Sequence, residues 1–293
     1  MELFIGFFVA MIVLSLPMIS LMLAIQFWLD PLLVVIAFLV LYLGLFVLMG
    51  TAIFLARRYH LSRTRYRGVR FAQTGSSLKY GFLSMGYTFL TGLTIGWFAP
   101  EAHIRLARRM WNGASFGSEP IQFEDTEEAM AEPVWKSFAI AWVGGLIGYT
   151  LWGMWFATNM DPEMMVSQEP DIGFIITLYV SLIPLGLFIG TLFAWHHAVM
   201  MRRITKSLRM GSLRPTSTFS TWDAIELTVT NTLLIIFTLG IGTMAAQMRL
   251  WRRYAERLEF HGHVDFSAIQ QSSAAQPSTG EGLADGLDLV SNF

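Results

Sequence analysis

The decisive stretch is "RRYHLSRTRYRGVRF", residues 57–71, which places six arginines in fifteen positions directly behind the apolar run 32–56. A run of that length and character suits a helix crossing roughly 30 Å of hydrocarbon. Arginine at its end marks the side on which the helix emerges. The composition around it agrees: of 293 residues, 54% are hydrophobic and 14% charged, with 23 Phe, 17 Met and 10 Trp. Such a chain is a membrane protein rather than a soluble domain. A net charge of -1, with its bases clustered, gives no footprint for nucleic acid. The absence of cysteine removes disulfides, thiolate metal sites and a cysteine nucleophile.

Working outward, a first run at 3–29 follows only Met1 and Glu2, has no positive flank and exceeds a signal-peptide core, so we expect a retained span. Asp30 and Pro31 turn the chain into the span 32–56, giving a membrane hairpin. Spans at 134–160 and 173–200 form a second hairpin. Two shorter elements, 80–99 and 223–246, are nearly long enough to cross.

Charge decides how to read these short elements. Six full crossings would place eleven Lys/Arg on one face and nine on the other. If 80–99 and 223–246 instead enter and leave on one face, all 20 basic residues share a side, as the positive-inside rule expects. The opposite face then keeps the Asp30 turn and 159–172, which holds Asp161, Glu163, Glu169 and Asp171 and no base. We expect this re-entrant topology, with six ordinary crossings as the alternative. "TFLTGLTIG" and "LLIIFTLGIG" supply the glycines that a break at membrane depth requires.

A shift of 144 positions brings Arg58 onto Arg202, Thr94 onto Thr238, Gly96 onto Gly240 and Arg105 onto Arg249. The chain thus reads as an α-helical multi-pass protein of two parallel repeats. Each repeat is a membrane hairpin, a short re-entrant or spanning element and small cytoplasmic β hairpins. The first is 1–128, with an amphipathic helix at 101–112; the second is 129–264, with its counterpart at 247–258; an acidic, disordered tail occupies 265–293. Inside the repeats a smaller unit recurs four times: "RRYHLSRTRYRGVRF", "RRMWNGASFGSEPIQF", "RRITKSLRMGSLRP" and "RRYAERLEFHGHVDF". Each alternates apolar and polar residues around a glycine, as two short strands around a turn do. Four such hairpins are expected to pair into one β layer. The two amphipathic helices are expected on the membrane surface, arginines toward anionic headgroups.

The segments "TRYRGVRF", "LTIGWFAPEAHIRLARRMWNGASFG", "LTVTNTLLIIFTLGIGTMAAQMRLWRR" and "GEGLADGLDL" resemble the YjgN-like family of bacterial inner-membrane proteins. The resemblance runs from about Arg57 to the C-terminus. It implies a multi-pass protein of the bacterial cytoplasmic membrane, with its basic segments and C-terminus inside, and brings no catalytic residue. Family members commonly begin with a further copy of the small unit, whereas this chain opens at "MELFIGFF".

The six histidines, His60, His103, His196, His197, His261 and His263, lie near the expected cytoplasmic boundary and show no metal spacing. HExxH, phosphate-loop and GxSxG patterns are absent. We therefore expect no enzyme, no cofactor and no metal. Ten arginines are the candidate contacts for anionic membrane lipid or an unidentified membrane protein partner: Arg57, Arg58, Arg105, Arg108, Arg109, Arg202, Arg203, Arg249, Arg252 and Arg253. A second set is polar at intramembrane depth: Tyr87, Thr94, Asn231, Thr238, Asp223 and Glu226. These residues either hold the halves together, with Tyr87 and Asn231 bonded across them, or line a path for a small solute or ion. A lipid- or partner-binding scaffold is the leading expectation, and a transporter or channel the alternative.

Overall fold

A computed structural model describes residues 30–159, 172–264, 266 and 268–272. The expected span 3–29, the acidic segment 160–171 and the tail from 273 lie outside the described residues. The chain divides into two compact units, one of 1–123, 208–213 and 262–293, the other of 124–207 and 214–261.

The first unit begins with α1 (Pro31–Arg63). Asp30 caps it, its Oδ1 accepting from Leu32 N at 2.8 Å. Leu33, Val35, Ile36, Leu39 and Val40 are all exposed, an apolar surface suited to hydrocarbon. The strands β1 (Arg65–Tyr66) and β2 (Val69–Gln73) then turn at Arg67 and Gly68. Ser76 caps α2 (Ser77–Leu93), which spans about 25 Å at the ordinary helical rise. Five residues later α3 (Ala99–Trp111) runs back along it. The strands β3 (Ala114–Phe116), β4 (Glu119–Phe123) and β5 (Leu208–Met210) complete an antiparallel sheet in the order β1-β2-β3-β4-β5. Because Phe71 pairs with Phe116 and Gln73 with Ala114, the helical hairpin leaves this sheet and returns to it.

The second unit contains α4 (Glu127–Met130), α5 (Val134–Asn159) and α6 (Ile172–Lys206). Strand β6 (Arg214–Ser217) follows, then α7 (Thr221–Phe237), α8 (Thr243–Glu256) and β7 (Leu258–His261). Here too a helical hairpin is closed by strands, with Arg214 opposite His261 and Ser217 opposite Leu258.

The bends at the tips of the two hairpins have the same construction. Ile95 and Leu239 both have φ of 50°, and Gly96 and Gly240 follow at 90° and 92°. Glycine takes that left-handed backbone without cost, and the β-branched Ile95 is strained in it. A threonine secures each bend: Thr94 Oγ1 donates to Leu90 O at 2.8 Å and accepts from Phe98 N at 3.0 Å. Thr238 Oγ1 does the same with Leu234 O at 2.7 Å and Gly242 N at 2.8 Å.

Several expectations change. The four small units do not make one layer: five strands form one sheet, while β6 and β7 form a separate pair. The third unit splits, because β5 pairs with β4 whereas β6, past a tight turn at Met210–Leu213, pairs with β7. The amphipathic helices expected on the membrane surface are the return arms of the helical hairpins. Ala102, Ala107 and Met110 of α3 are buried. In the tail, Phe266 and residues 268–272 lie against the first sheet: Phe266 is 5.8 Å from Tyr66, and Gln270 O accepts from Ser118 N at 2.9 Å.

Gly92 and Gly186 face open space, whereas Gly148 packs on Phe188 and Gly144 on Leu192. The tightest approach joins α1 to α2, where a Cβ on Gly81 would lie 2.4 Å from Val47 O and 2.3 Å from Thr51 Oγ1. The backbone oxygen has nowhere to go. Gly81→Ala is therefore expected to destabilise the chain by ~2 kcal/mol, within the range for overpacking, while Gly92→Ala is neutral. Thermal melting in detergent compares them; equal midpoints would refute the contact.

Candidate functional site

The arginines gather where apolar helices end, and the two units treat them differently. In the first unit guanidinium groups lie on aromatic rings. Arg57 sits 4.1 Å over Trp111, Arg58 5.1 Å over Phe54 and Arg108 5.4 Å over Phe123. Arg58 Nη2 also donates to Gly75 O. Arg105 stacks 5.8 Å from Phe98 and pairs with Glu101 one turn earlier at 2.6 Å, on an exposed face where such a pair adds little. Arg109 is exposed.

In the second unit carboxylates meet the arginines. Glu132, on the turn before α5, receives Arg202 at 3.1 Å and Lys206 at 2.7 Å, and Arg202 Nη1 also donates to Phe219 O at 3.0 Å. Arg203 donates to Asp125 at 2.6 Å. Arg253 bridges Asp223 at 2.8 Å and Glu226 at 3.2 Å, and Arg257 adds a contact to Asp223 at 3.2 Å. Arg249 reaches Thr230 Oγ1 at 3.3 Å, and Arg252 is exposed. Sequence reading missed the anions of this network, Asp125 and Glu132, although the acidic run 124–132 lies beside basic segments and was the available signal.

Asp223 lies at the foot of the α7–α8 hairpin, beyond its apolar portion. It completes a capping box: Ser220 Oγ accepts from Asp223 N, and Ser220 N donates back to Asp223 Oδ2 at 3.0 Å. Burial by itself raises the Asp223 pKa, but the Ser220 backbone and hydroxyl, Arg253 and Arg257 outweigh it and bring it down to about 2.

The polar residues expected at intramembrane depth bond inside their own hairpins, with the buried Asn231 Oδ1 left without a hydrogen-bond partner. Tyr87 lies 5.8 Å from Phe98 and its hydroxyl interacts with Arg105. Asn231 Nδ2 donates to Ala246 O at 3.1 Å, tying α7 to α8. Neither contact is the bond expected between the halves. Thr94 and Thr238 spend their hydroxyls on the bends. Glu226 is exposed and engaged with Arg253.

A serine and a histidine also meet, Ser137 Oγ and His196 Nδ1 at 3.1 Å. Ser137 is fully buried, and its hydroxyl also lies 2.9 Å from Val134 O. No cluster of three metal-ligating side chains occurs among the described residues.

The structure defines a mostly helical protein carrying small antiparallel sheets. Among the described residues, three helices are long and apolar enough to cross a membrane: Val35–Arg63, Glu127–Asn159 and Ile172–Lys206. Over residues 1–286 the chain matches the model of a family described as "Bacterial protein of unknown function (DUF898)", and it belongs to that family, the YjgN-like family. The match takes in residues 1–56 as well as the stretch from Arg57 onward. No curated protein and no solved structure matches the chain.

Asp223 has a depressed pKa in the folded state, so its contribution to stability is present above the ordinary value of 3.8 and is lost as pH falls through about 2. Asp223→Asn is expected to lower stability by roughly 2 kcal/mol at neutral pH, the scale of lost charge-assisted hydrogen bonds. It should also flatten the acid limb between pH 4 and 2 in a plot of melting midpoint against pH. An unchanged acid limb would show that Asp223 is not the titrating group.

Proposed function

We propose that this chain is a multi-pass protein of the bacterial inner membrane. It acts without enzymatic chemistry as a scaffold that binds anionic lipid through its arginine-rich cytoplasmic face. One observation carries the topology: strands on either side of each helical hairpin pair with one another, β2 with β3 and β6 with β7. An antiparallel ladder does not straddle a bilayer, so residues 77–111 and 221–256 enter and leave on one face. The hairpin tips fit that reading, with Ile95 74%, Leu239 93% and Ile241 86% exposed and no charge among them. By the same reasoning β4 and β5, which flank the α5–α6 pair, share a side. No Lys or Arg is then left on the opposite face, and the C-terminus is cytoplasmic.

The matching hairpin geometry 144 positions apart supports a duplicated architecture of two parallel repeats. A solute path through Thr94 and Thr238 is disfavoured, because their hydroxyls are committed to the bends.

The topology is tested in a chain that has no cysteine of its own. Single cysteines replacing Arg67, Ser118 and Ser212 should all resist an impermeant thiol reagent applied to intact spheroplasts, and react after lysis. Cysteines replacing Ile95 and Leu239 should resist it as well. Outside labelling at Ser118 and Ser212, with Arg67 protected, would restore six crossings and refute the proposal.

A further inference from the structure

The cationic groups of the first unit are built for a ligand that those of the second are not. Arg57 and Arg58 follow directly on the apolar length of α1, where a spanning helix reaches the depth of lipid phosphates. The Nε atoms of both are buried and have no hydrogen-bond partner. Among the described residues no carboxylate pairs with either. Arg57 is held by a ring alone, its guanidinium 4.1 Å above Trp111 with the Tyr80 phenol in electrostatic range. Buried donors left without an acceptor cost more than the stack returns. On β2, which packs against α1, Gln73, only 5% exposed, gives its Nε2 to Met110 O at 2.9 Å and leaves a buried Oε1 unpartnered.

The second unit provides an internal comparison on the same scaffold. At the shift of 144, Met201 stands for Arg57, Ala255 for Trp111, Ala224 for Tyr80 and Ser217 for Gln73. Arg58 keeps its counterpart in Arg202, but Glu132 and Phe219 O satisfy that side chain. Phe219, Ala224 and Leu227 pack as an apolar cluster there. The second copy pairs its arginine with a carboxylate, whereas the first leaves Arg57 Nε, Arg58 Nε and Gln73 Oε1 buried without a partner, Arg58 spending only its Nη2 on Gly75 O.

We propose that Arg57 and Arg58, oriented by Trp111 and completed by Gln73, form a binding site for a phosphate group. A guanidinium fork matches phosphate oxygens in two parallel hydrogen bonds, and the indole fixes the plane in which Arg57 presents it. Gln73 Oε1 accepts from a hydroxyl or from a protonated phosphate oxygen. The phosphate belongs to an anionic lipid headgroup or to a free anion. This assignment rests on the membrane reading above, which places the site at headgroup depth.

The test uses the full chain in detergent, titrated with phosphatidylglycerol, phosphatidylcholine or inorganic phosphate, and follows bound lipid by native mass spectrometry and the melting midpoint. Wild type should retain phosphatidylglycerol over phosphatidylcholine. Arg57→Met, which installs the residue of the second copy, should weaken that binding by at least about tenfold, the scale of one lost charge-assisted hydrogen bond. Arg57→Lys keeps the charge without the fork and should fall between. Arg202→Met should lower the melting midpoint with lipid affinity unchanged. Displacement of the lipid by millimolar phosphate, with a midpoint rise that Arg57→Met abolishes, would support the site and name the free anion as its ligand. Folded Arg57→Met that retains phosphatidylglycerol as wild type does would overturn the site, and so would a wild type indifferent to headgroup and phosphate. Cysteine labelling decides the membrane reading independently of either result.

Discussion

Everything in this structure depends on where the strands beside each helical hairpin find their partners. A helix of 17 residues is ambiguous, being almost long enough to cross a bilayer. When Phe71 pairs with Phe116 and Ser217 with Leu258, the two ends of each hairpin are tied together within a ladder spacing. The helix then has to turn back. The turn is affordable because Thr94 and Thr238 replace the hydrogen bonds that a bent helix loses, and because a glycine follows in the left-handed region. Sheet and bend therefore specify one another, and in the proposed topology both keep the basic residues on a single face.

The return arms explain why polar residues are tolerated on these hairpins. α8 lies along α7 and supplies Arg253 to Asp223 and Glu226 and a carbonyl to Asn231. Such contacts close polar groups inside the hairpin and leave apolar residues outward, the arrangement that a low-dielectric surrounding rewards. The ion pairs also orient the hairpin relative to its capping box, since Asp223 takes part in both.

The two units show how a common scaffold can serve different ends. Arginine on an aromatic face keeps its N–H edge available, whereas arginine against a carboxylate has spent it. The first unit follows the former pattern at Arg57, while Arg58 lies on Phe54 and also donates to Gly75 O, and the second follows the latter at Arg202, Arg203 and Arg253.

The apolar runs, the arginine clusters at their ends and the shift of 144 are all legible in the sequence. Membrane length, charge placement and repetition are properties of the chain read in order. The bends were visible as well, because Thr and Gly at a break have a local physical meaning. What sequence reading missed involves partners far apart in the chain: Glu132 beneath Arg202, Trp111 beneath Arg57, and Gly81 against Val47 O. It also treated four similar hairpins as one layer, since local alternation specifies a strand but not its neighbour. The sequence by itself determined which segments are apolar, which are basic and where the chain can turn. Only the tertiary structure decided which strands pair and which arginines are neutralised, because hydrogen bonding and ion pairing select partners by distance in space.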